Sequence, residues 1–145
     1  MYRYALQFTG DAVGAKDVVQ DAFLKLWKVR REVDVQKVKA WLFRTAHNAM
    51  INQWKRERRM QGMEGLGQEP AYAQTFRFEL ADVLEAAMRQ LPELQRSILL
   101  LRDLEGYSYK EIGEMLSLND SQVKVYLFRA RKKMKEQIQS MNRVK

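Results

Sequence analysis

Ser121, Val125, Phe128, Arg129 and Lys132 fall on one arc at helical spacing, with Lys124, Arg131 and Lys133 on its flanks and Gln122 at its front. Two large apolar groups among cations are out of place on a face that meets only water. They suit the major groove of duplex DNA, where apolar side chains meet thymine methyls while Arg and Lys reach guanine edges and phosphates. The chemistry implied is recognition rather than bond making. In keeping with that, the chain holds no cysteine, hence no disulfide, no thiolate metal site and no zinc finger. Its single histidine, His47, stands among small and polar residues and reads as ordinary surface chemistry. No serine has a recognisable base and no acidic cluster offers a metal site, so neither a cofactor nor catalysis is expected.

Such an arc needs a helix held rigidly against another, and the preceding residues supply one. Ser108 and Glu111 have the spacing of a capping box, in which each side chain satisfies a backbone N–H at the start of a helix. Ile112, Met115 and Leu116 follow at helical spacing, Gly113 removes a side chain where the next helix passes close, and Ser117, Leu118 and Asn119 make a turn. Asn119 with Gln122 repeats the capping pattern. Val123, Leu127, Ala130 and Met134 then lie opposite the cationic arc and face the core. Helix, tight turn and two-faced helix over residues 108–135 make a helix-turn-helix unit. Upstream, Leu80 to Leu91 has an apolar side of Val83, Leu84, Ala87, Met88 and Leu91. Pro92 opens a further helix that buries Ile98, Leu101 and Leu104 and stops at Gly106.

A second set of recognition residues lies in the first half. On a helix from Lys39 to about Arg59, Trp41, Arg44, Asn48, Asn52, Lys55 and Arg59 share one edge, with Arg56 beside them. Aromatic, amide and cationic groups in a row can stack on an unpaired base, bond its edge and hold its backbone. Amides and arginines are equally ordinary on a surface. Leu42, Ala46, Ala49 and Gln53 are expected inward, bordered by Phe43 and Met50. Before a loop at Val35 to Val38, the helix from Ala15 to Arg30 is expected to bury Val19, Ala22, Phe23 and Leu26, with Trp27 at the border. Its opposite arc, Asp17, Gln20, Asp21, Leu24 and Lys28, reads on periodicity alone as a solvated face.

The formal net charge is +8, and it is concentrated. From Gln122 onward Lys124, Arg129, Arg131, Lys132, Lys133, Lys135, Arg143 and Lys145 stand against Glu136 alone, while Lys55, Arg56, Arg58 and Arg59 form a separate cluster. Two phosphate-contacting surfaces follow, with binding that weakens steeply with salt. Between the clusters, Arg58 to Thr75 carries Gly62, Gly65, Gly67 and Pro70 without sustained periodicity, which reads as a flexible linker. No alternating strand of convincing length occurs. The expected fold is all α: two small helical domains at residues 1–59 and 79–145, joined by a linker at 60–78, the second a helix-turn-helix domain. No apolar run long enough to span a membrane and no signal-peptide pattern is present, so a soluble cytoplasmic protein without stable membrane insertion is expected.

The order of segments is AKDVVQDAFLKLW, KAWLFRTAHNAMINQWKRERR, a loose linker, LPELQRSILLLRDLEGYSYKEIGEML and VKVYLFRARKKMK. It resembles the extracytoplasmic-function sigma factors, small two-domain promoter-specificity subunits of bacterial RNA polymerase, over nearly the whole chain. The resemblance implies that residues 1–59 are region 2, which docks on core polymerase and opens promoter DNA at the minus-ten element. It implies that residues 79–145 are region 4, which reads the minus-thirty-five element. By position, Asp17, Gln20, Asp21 and Leu24 would press on the clamp helices of the β′ subunit, reversing the solvated-face reading, with the β flap as a further contact. The loop at Asp34 to Lys37 would pocket a flipped base. Trp41, Arg44, Asn48 and Asn52 would meet the unpaired strand, with Lys55, Arg56, Arg58 and Arg59 on phosphates, and Lys124, Val125, Phe128 and Arg129 would read bases upstream. Many similar proteins also have an anti-sigma partner that masks both domains, and the sequence leaves open whether this one does.

Two departures from the family pattern carry expectations. The segment Tyr2 to Thr9 starts a turn or two late, which predicts a partly open core in the first domain. Asp120 puts an acid at the front of the recognition helix, where it favours the helix dipole and repels phosphate. The alternative is a stand-alone helix-turn-helix regulator. Such a protein needs a dimer to read two half-sites, and it has no use for the stripe between Trp41 and Arg59.

Overall fold

The computed structural model describes residues 1–64 and 80–142, with side chains through Arg56, Trp54 apart, and from Leu80 to Ser140. Helix α1 (Tyr2–Thr9) ends at Gly10, whose φ of 70° lets its N–H turn back to donate to Leu6 O at 2.8 Å. Asp11 then caps α2 (Ala12–Lys28), its Oδ1 accepting from Val13 N–H at 3.1 Å. The expected loop before the next helix is a single 3-10 turn, Val35–Lys37, capped by Asp34. It leads into α3 (Val38–Glu64), which continues past Arg59 into the stretch read as linker. Residues 65–79, the rest of that expected linker, lie outside the described residues.

In the second half come α4 (Leu80–Arg89), α5 (Glu93–Leu99), a π-helical segment Leu100–Leu104, α6 (Tyr109–Leu116) and α7 (Asp120–Asn142). Gly106, at φ 77°, ends the π segment where the sequence placed a stop. The described residues form helices joined by short turns with no strand, and the second half is a helix-turn-helix domain.

The two halves are packed on each other around one continuous core. Tyr4, Phe8, Phe43, Ala46 and Met50 of the first half belong to the same buried cluster as Ile98, Leu101, Ile112, Met115, Val123 and Leu127 of the second. Each large side chain removed from water in this way contributes roughly 1.5–3 kcal/mol. Helix α3 stands at the centre, against α1 and α2 on one side and α6 on the other.

That position rotates its buried face away from the one expected. Phe43, Ala46, His47 and Met50 are buried, whereas Leu42, Ala49 and Gln53 are only half so. Apolar periodicity alone points α3 at α2, and the second half covers the side that carries His47. The buried side of α2 also differs: it is Gly14, Ala15, Val18 and Ala22, small enough for α1 to lie close, and Phe23 is 50% exposed rather than inward. Trp27 faces out as well, with the Arg30 guanidinium 4.0 Å from its ring. The partly open core predicted for the first half is not found. Tyr4, Ala5 and Phe8 are buried because the second half covers what α1 leaves.

Candidate nucleic-acid interface

The helix-turn-helix unit has a reciprocal cap at the start of each of its two helices. Ser108 Oγ accepts from Glu111 N–H and Glu111 Oε1 accepts from Ser108 N–H, both at 3.1 Å. At the next helix, Asn119 Oδ1 accepts from Gln122 N–H at 2.8 Å and Gln122 Oε1 from Asn119 N–H at 2.9 Å. Between them Ser117 takes φ 60° and Leu118 N–H donates to Gly113 O at 2.9 Å. A Cβ on Gly113 would collide with Leu118 O, so the close approach at this glycine is the turn's own backbone rather than the following helix. Val123, Leu127 and Ala130 are then buried, and the opposite arc is forced outward.

Ser121, Gln122, Lys124, Val125, Phe128, Arg129 and Lys132 are all exposed on α7. Phe128 is 69% and Val125 46% exposed, too much for packing residues, and they sit among cations as a major-groove helix requires. Gln122 has its oxygen committed to the cap. Arg131 does not join the arc. Its Nη2 and Nε donate to Asp103 Oδ1 and Oδ2 at 2.6 and 3.2 Å, so it braces α7 against the π segment.

Along α3, Asn48, Asn52, Lys55 and Arg56 are exposed in a row and Trp41 is half-buried at the row's start. The side chain of Arg59 lies outside the described residues. Arg44 is exposed but engaged: its Nε donates to Met115 O at 3.1 Å and its Nη2 to Glu114 O, both in the last turn of α6. Nearby, Lys39 Nζ lies 2.8 Å from Glu111 and 4.6 Å from the Tyr107 ring. The hydrogen bond from Lys39, with that from Ser108 N–H, pushes the Glu111 carboxyl down to about 2. Asp17, Gln20, Asp21 and Leu24 are exposed on α2. They line one wall of a groove of about 750 Å³ whose other wall is Ala49, Asn52, Gln53 and Arg56 of α3. The arc expected to face a protein thus adjoins the stripe expected to face a single strand.

Sequence reasoning missed a polar cluster where the halves meet. His47, read as a surface residue, is 6% exposed, with Nδ1 2.6 Å from Ser97 Oγ and 3.3 Å from Tyr4 Oη; Tyr4 Oη is in turn 2.8 Å from Ser97 Oγ. Burial pushes the imidazole down to about 4 and the Tyr4 phenol up. Beside it, Arg96 is buried and bonded to main-chain carbonyls. It donates to the carbonyls of Phe8, Met88, Arg89 and Leu91 at 3.0–3.3 Å, near the ends of α1 and α4. The available signal was that Arg96 and Ser97 immediately precede the apolar run Ile98 to Leu101. Among the described residues no group of His, Asp and Glu could hold a metal ion, and no helix is long and apolar enough to cross a membrane.

Residues 1–60 match the family model for Sigma-70 region 2, and residues 81–134 that for Sigma-70, region 4. The chain is 30% identical over 140 residues to the ECF RNA polymerase sigma factor SigM of Bacillus subtilis, covering 93% of this chain and 86% of that one. It is 32% identical over 143 residues to the RNA polymerase sigma factor YlaC of the same organism, covering 92% and 82%. Among solved structures, the sigma factor RpoE in complex with the anti-sigma factor NepR from Bartonella quintana matches with a TM-score of 0.74 at 26% identity, covering 95% of this chain and 89% of that one.

Proposed function

The chain belongs to the extracytoplasmic-function family of RNA polymerase sigma factors, and from that premise we propose how its surfaces divide the work of starting transcription. It binds core RNA polymerase and directs it to promoters. Helix α7 enters the major groove at the minus-thirty-five element, with Arg129 and Lys124 on base edges, Val125 and Phe128 on thymine methyls, and Ser121 and Lys132 on the backbone. Each good base contact supplies about 1–3 kcal/mol of discrimination. Arg131 acts through Asp103 and holds the helix in place.

At the minus-ten element, Trp41 stacks on an unpaired base, Arg44, Asn48 and Asn52 bond its edge or its neighbour, and Lys55, Arg56 and Arg59 hold phosphates. Unstacking a base costs a few kcal/mol, which stacking on an aromatic ring at about 1–3 kcal/mol and edge hydrogen bonds offset. The α2 arc of Asp17, Gln20, Asp21 and Leu24 docks on the polymerase clamp. The groove it shares with the α3 stripe supports a melted strand running along the edge of the polymerase contact. The chain supplies contacts and the polymerase supplies the chemistry, in the cytoplasm where promoter DNA is. An anti-sigma partner, of the kind that RpoE has, would compete for these same surfaces.

The observation that carries this reading is the exposure of Phe128 and Val125 inside a cationic arc, on a helix whose start is pinned by the Asn119 and Gln122 cap. Run-off transcription from a randomised promoter library, with bacterial core polymerase and this chain, tests it. Selected promoters sharing two spaced elements are expected. Duplex binding without any transcript would move the reading to a stand-alone regulator.

A further inference from the structure

The two cations assigned above to base edges, Lys124 and Arg129, are each seated against a tyrosine that lies outside the exposed arc. Lys124 Nζ is 5.6 Å from the centre of the Tyr109 ring, and Arg129 Cζ is 5.9 Å from the centre of the Tyr126 ring. Both separations fall within the reach of about 6 Å over which a ring face attracts a cation. Lys124 and Arg129 are exposed, whereas Tyr109 and Tyr126 are half-buried and packed against the core.

The rings come from different helices and serve different flanks. Tyr109 opens α6 directly after Ser108, so the capping box fixes its backbone. The Arg102 guanidinium lies 4.7 Å from the same ring and is itself held by its hydrogen bond to Tyr107 O at 2.9 Å. Tyr126 is carried by α7, next to the buried Leu127. Lys124 and Arg129 stand roughly 140° apart around α7 at 3.6 residues per turn, with Phe128 between them.

A long cationic side chain in water samples many rotamers, and a base contact must select one of them. A cation resting on a fixed ring has fewer to lose, keeps its outward N–H donors for a partner and costs less to order on binding. For Arg129 the gain is also directional, because a guanidinium that pairs with a guanine edge must present its fork in one plane.

We propose that Tyr109 and Tyr126 are positioning residues for base reading: Tyr109 holds Lys124 and Tyr126 holds Arg129, so that sequence preference on each flank of the arc depends on a ring outside it. This division of labour rests on the base-reading role of α7 proposed above.

Double-mutant cycles test the pairing. With core RNA polymerase, the full chain and its variants each select duplexes from a pool randomised across the upstream element, and sequencing the bound fraction gives base preference position by position. The variants are Tyr109→Leu, Tyr109→Phe, Tyr126→Leu and Tyr126→Phe, alone and combined with Lys124→Ala or Arg129→Ala. Pentafluorophenylalanine placed at 109 or 126 keeps the shape of the ring and removes its negative face, so it separates the cation contact from packing in a chain whose fold is undisturbed.

Tyr109→Leu is expected to lower discrimination about two- to fivefold, the size of one exposed cation–π contact, at the position that Lys124→Ala relaxes, and to add nothing once Lys124 is gone. Tyr126→Leu is expected to do the same at the position of Arg129. The Phe variants should retain the preference and the fluorinated rings should lose it. A loss spread over all positions, or coupled equally to both cations, acts through the fold and overturns the pairing. So does a Phe variant that falls as far as Leu, which assigns the effect to the hydroxyl. Sharper preference in a Leu variant also overturns it, since the ring then holds its cation away from the base. Preference in the unaltered chain without a transcript from the selected duplexes refutes the sigma-factor reading and leaves the pairing standing, and no preference in the unaltered chain overturns both.

Discussion

Acid should loosen the packing between the halves, and one imidazole sets the amount. In the neutral His47 ring with its proton on Nε2, Ser97 O–H donates to Nδ1 and Tyr4 O–H donates to Ser97 Oγ, so all three groups are satisfied without charge. Burial holds the ring down to about 4 against an ordinary 6.5, with the Glu93 carboxylate opposing the shift. Between those values the unfolded chain binds a proton that the folded chain refuses. Stability is therefore complete above about 6.5 and falls as pH drops through 6.5 toward 4. The full loss is roughly 3 kcal/mol, of which about 2 kcal/mol is spent by pH 5, lowering Tm by roughly 4–8 °C in a chain of this size. Glu111 contributes in a lower window, since its depressed carboxyl stabilises above about 4.5 and loses that effect as pH falls toward 2. Thermal melts by circular dichroism at pH 8 and pH 5, on this chain and on His47→Gln, make the measurement. The variant is expected to start less stable at pH 8 and to lose the steep dependence between 6.5 and 5. Because His47 is the only histidine, its Cε1–H resonance can also be titrated without ambiguity. A native midpoint near 6.5, or the same pH slope in both proteins, refutes the reasoning.

Three further substitutions address the surfaces and the turn that aims them. Arg129→Ala should relax base preference at one position and cost about 1–3 kcal/mol, whereas Lys132→Ala should weaken all duplexes alike and lower the salt slope by about 1; equal, sequence-independent losses in salt titrations of selected and random duplexes would remove Arg129 from base reading. Gly113→Ala should destabilise by about 1–3 kcal/mol in urea unfolding, because the new methyl meets the Leu118 carbonyl and that backbone cannot yield without opening the turn. A gain in stability, as helix propensity alone would give, would deny the close approach. Trp41→Ala should leave duplex binding intact and reduce promoter opening, and undiminished permanganate reactivity at the melted thymines would count against the stacking role.

The parts legible in sequence were those set by local chemistry. Both capping pairs, the turn at Ser117 to Asn119 and the two faces of α7 follow from side chains within a few residues of the backbone groups they satisfy, and the structure has them all. The parts that were not legible depend on contacts distant along the chain. Phe23 belongs to a good apolar stripe, yet small residues one step round the helix let α1 in closer, and Phe23 is left outside. His47 has no neighbour in sequence that marks it as buried; Ser97, fifty positions on, is what buries it. Arg44 belongs by spacing to a solvent-facing edge, and the α6 carbonyls that engage it lie seventy and seventy-one positions away.

The polarity of the contact between halves has its own logic. Tyr4, His47, Ser97 and Arg96 could have been leucines and valines in a shared core, and burial of that kind would have held the halves together more strongly. An apolar seam exposes surface to water when it opens, with no compensation. Here a few polar groups sit within an otherwise apolar seam: Tyr4, His47 and Ser97 bond one another, and Arg96 takes three main-chain partners from its own half. Each half meanwhile keeps helices packed within itself: α1, α2 and α3 pack together in the first, and α6 with α7 in the second. A neutral imidazole suits such a seam. At neutral pH His47 can be buried or wetted without gaining a proton in either state, so the contact between the halves is insensitive to pH there, and only acid, by charging the wetted ring, favours its opening.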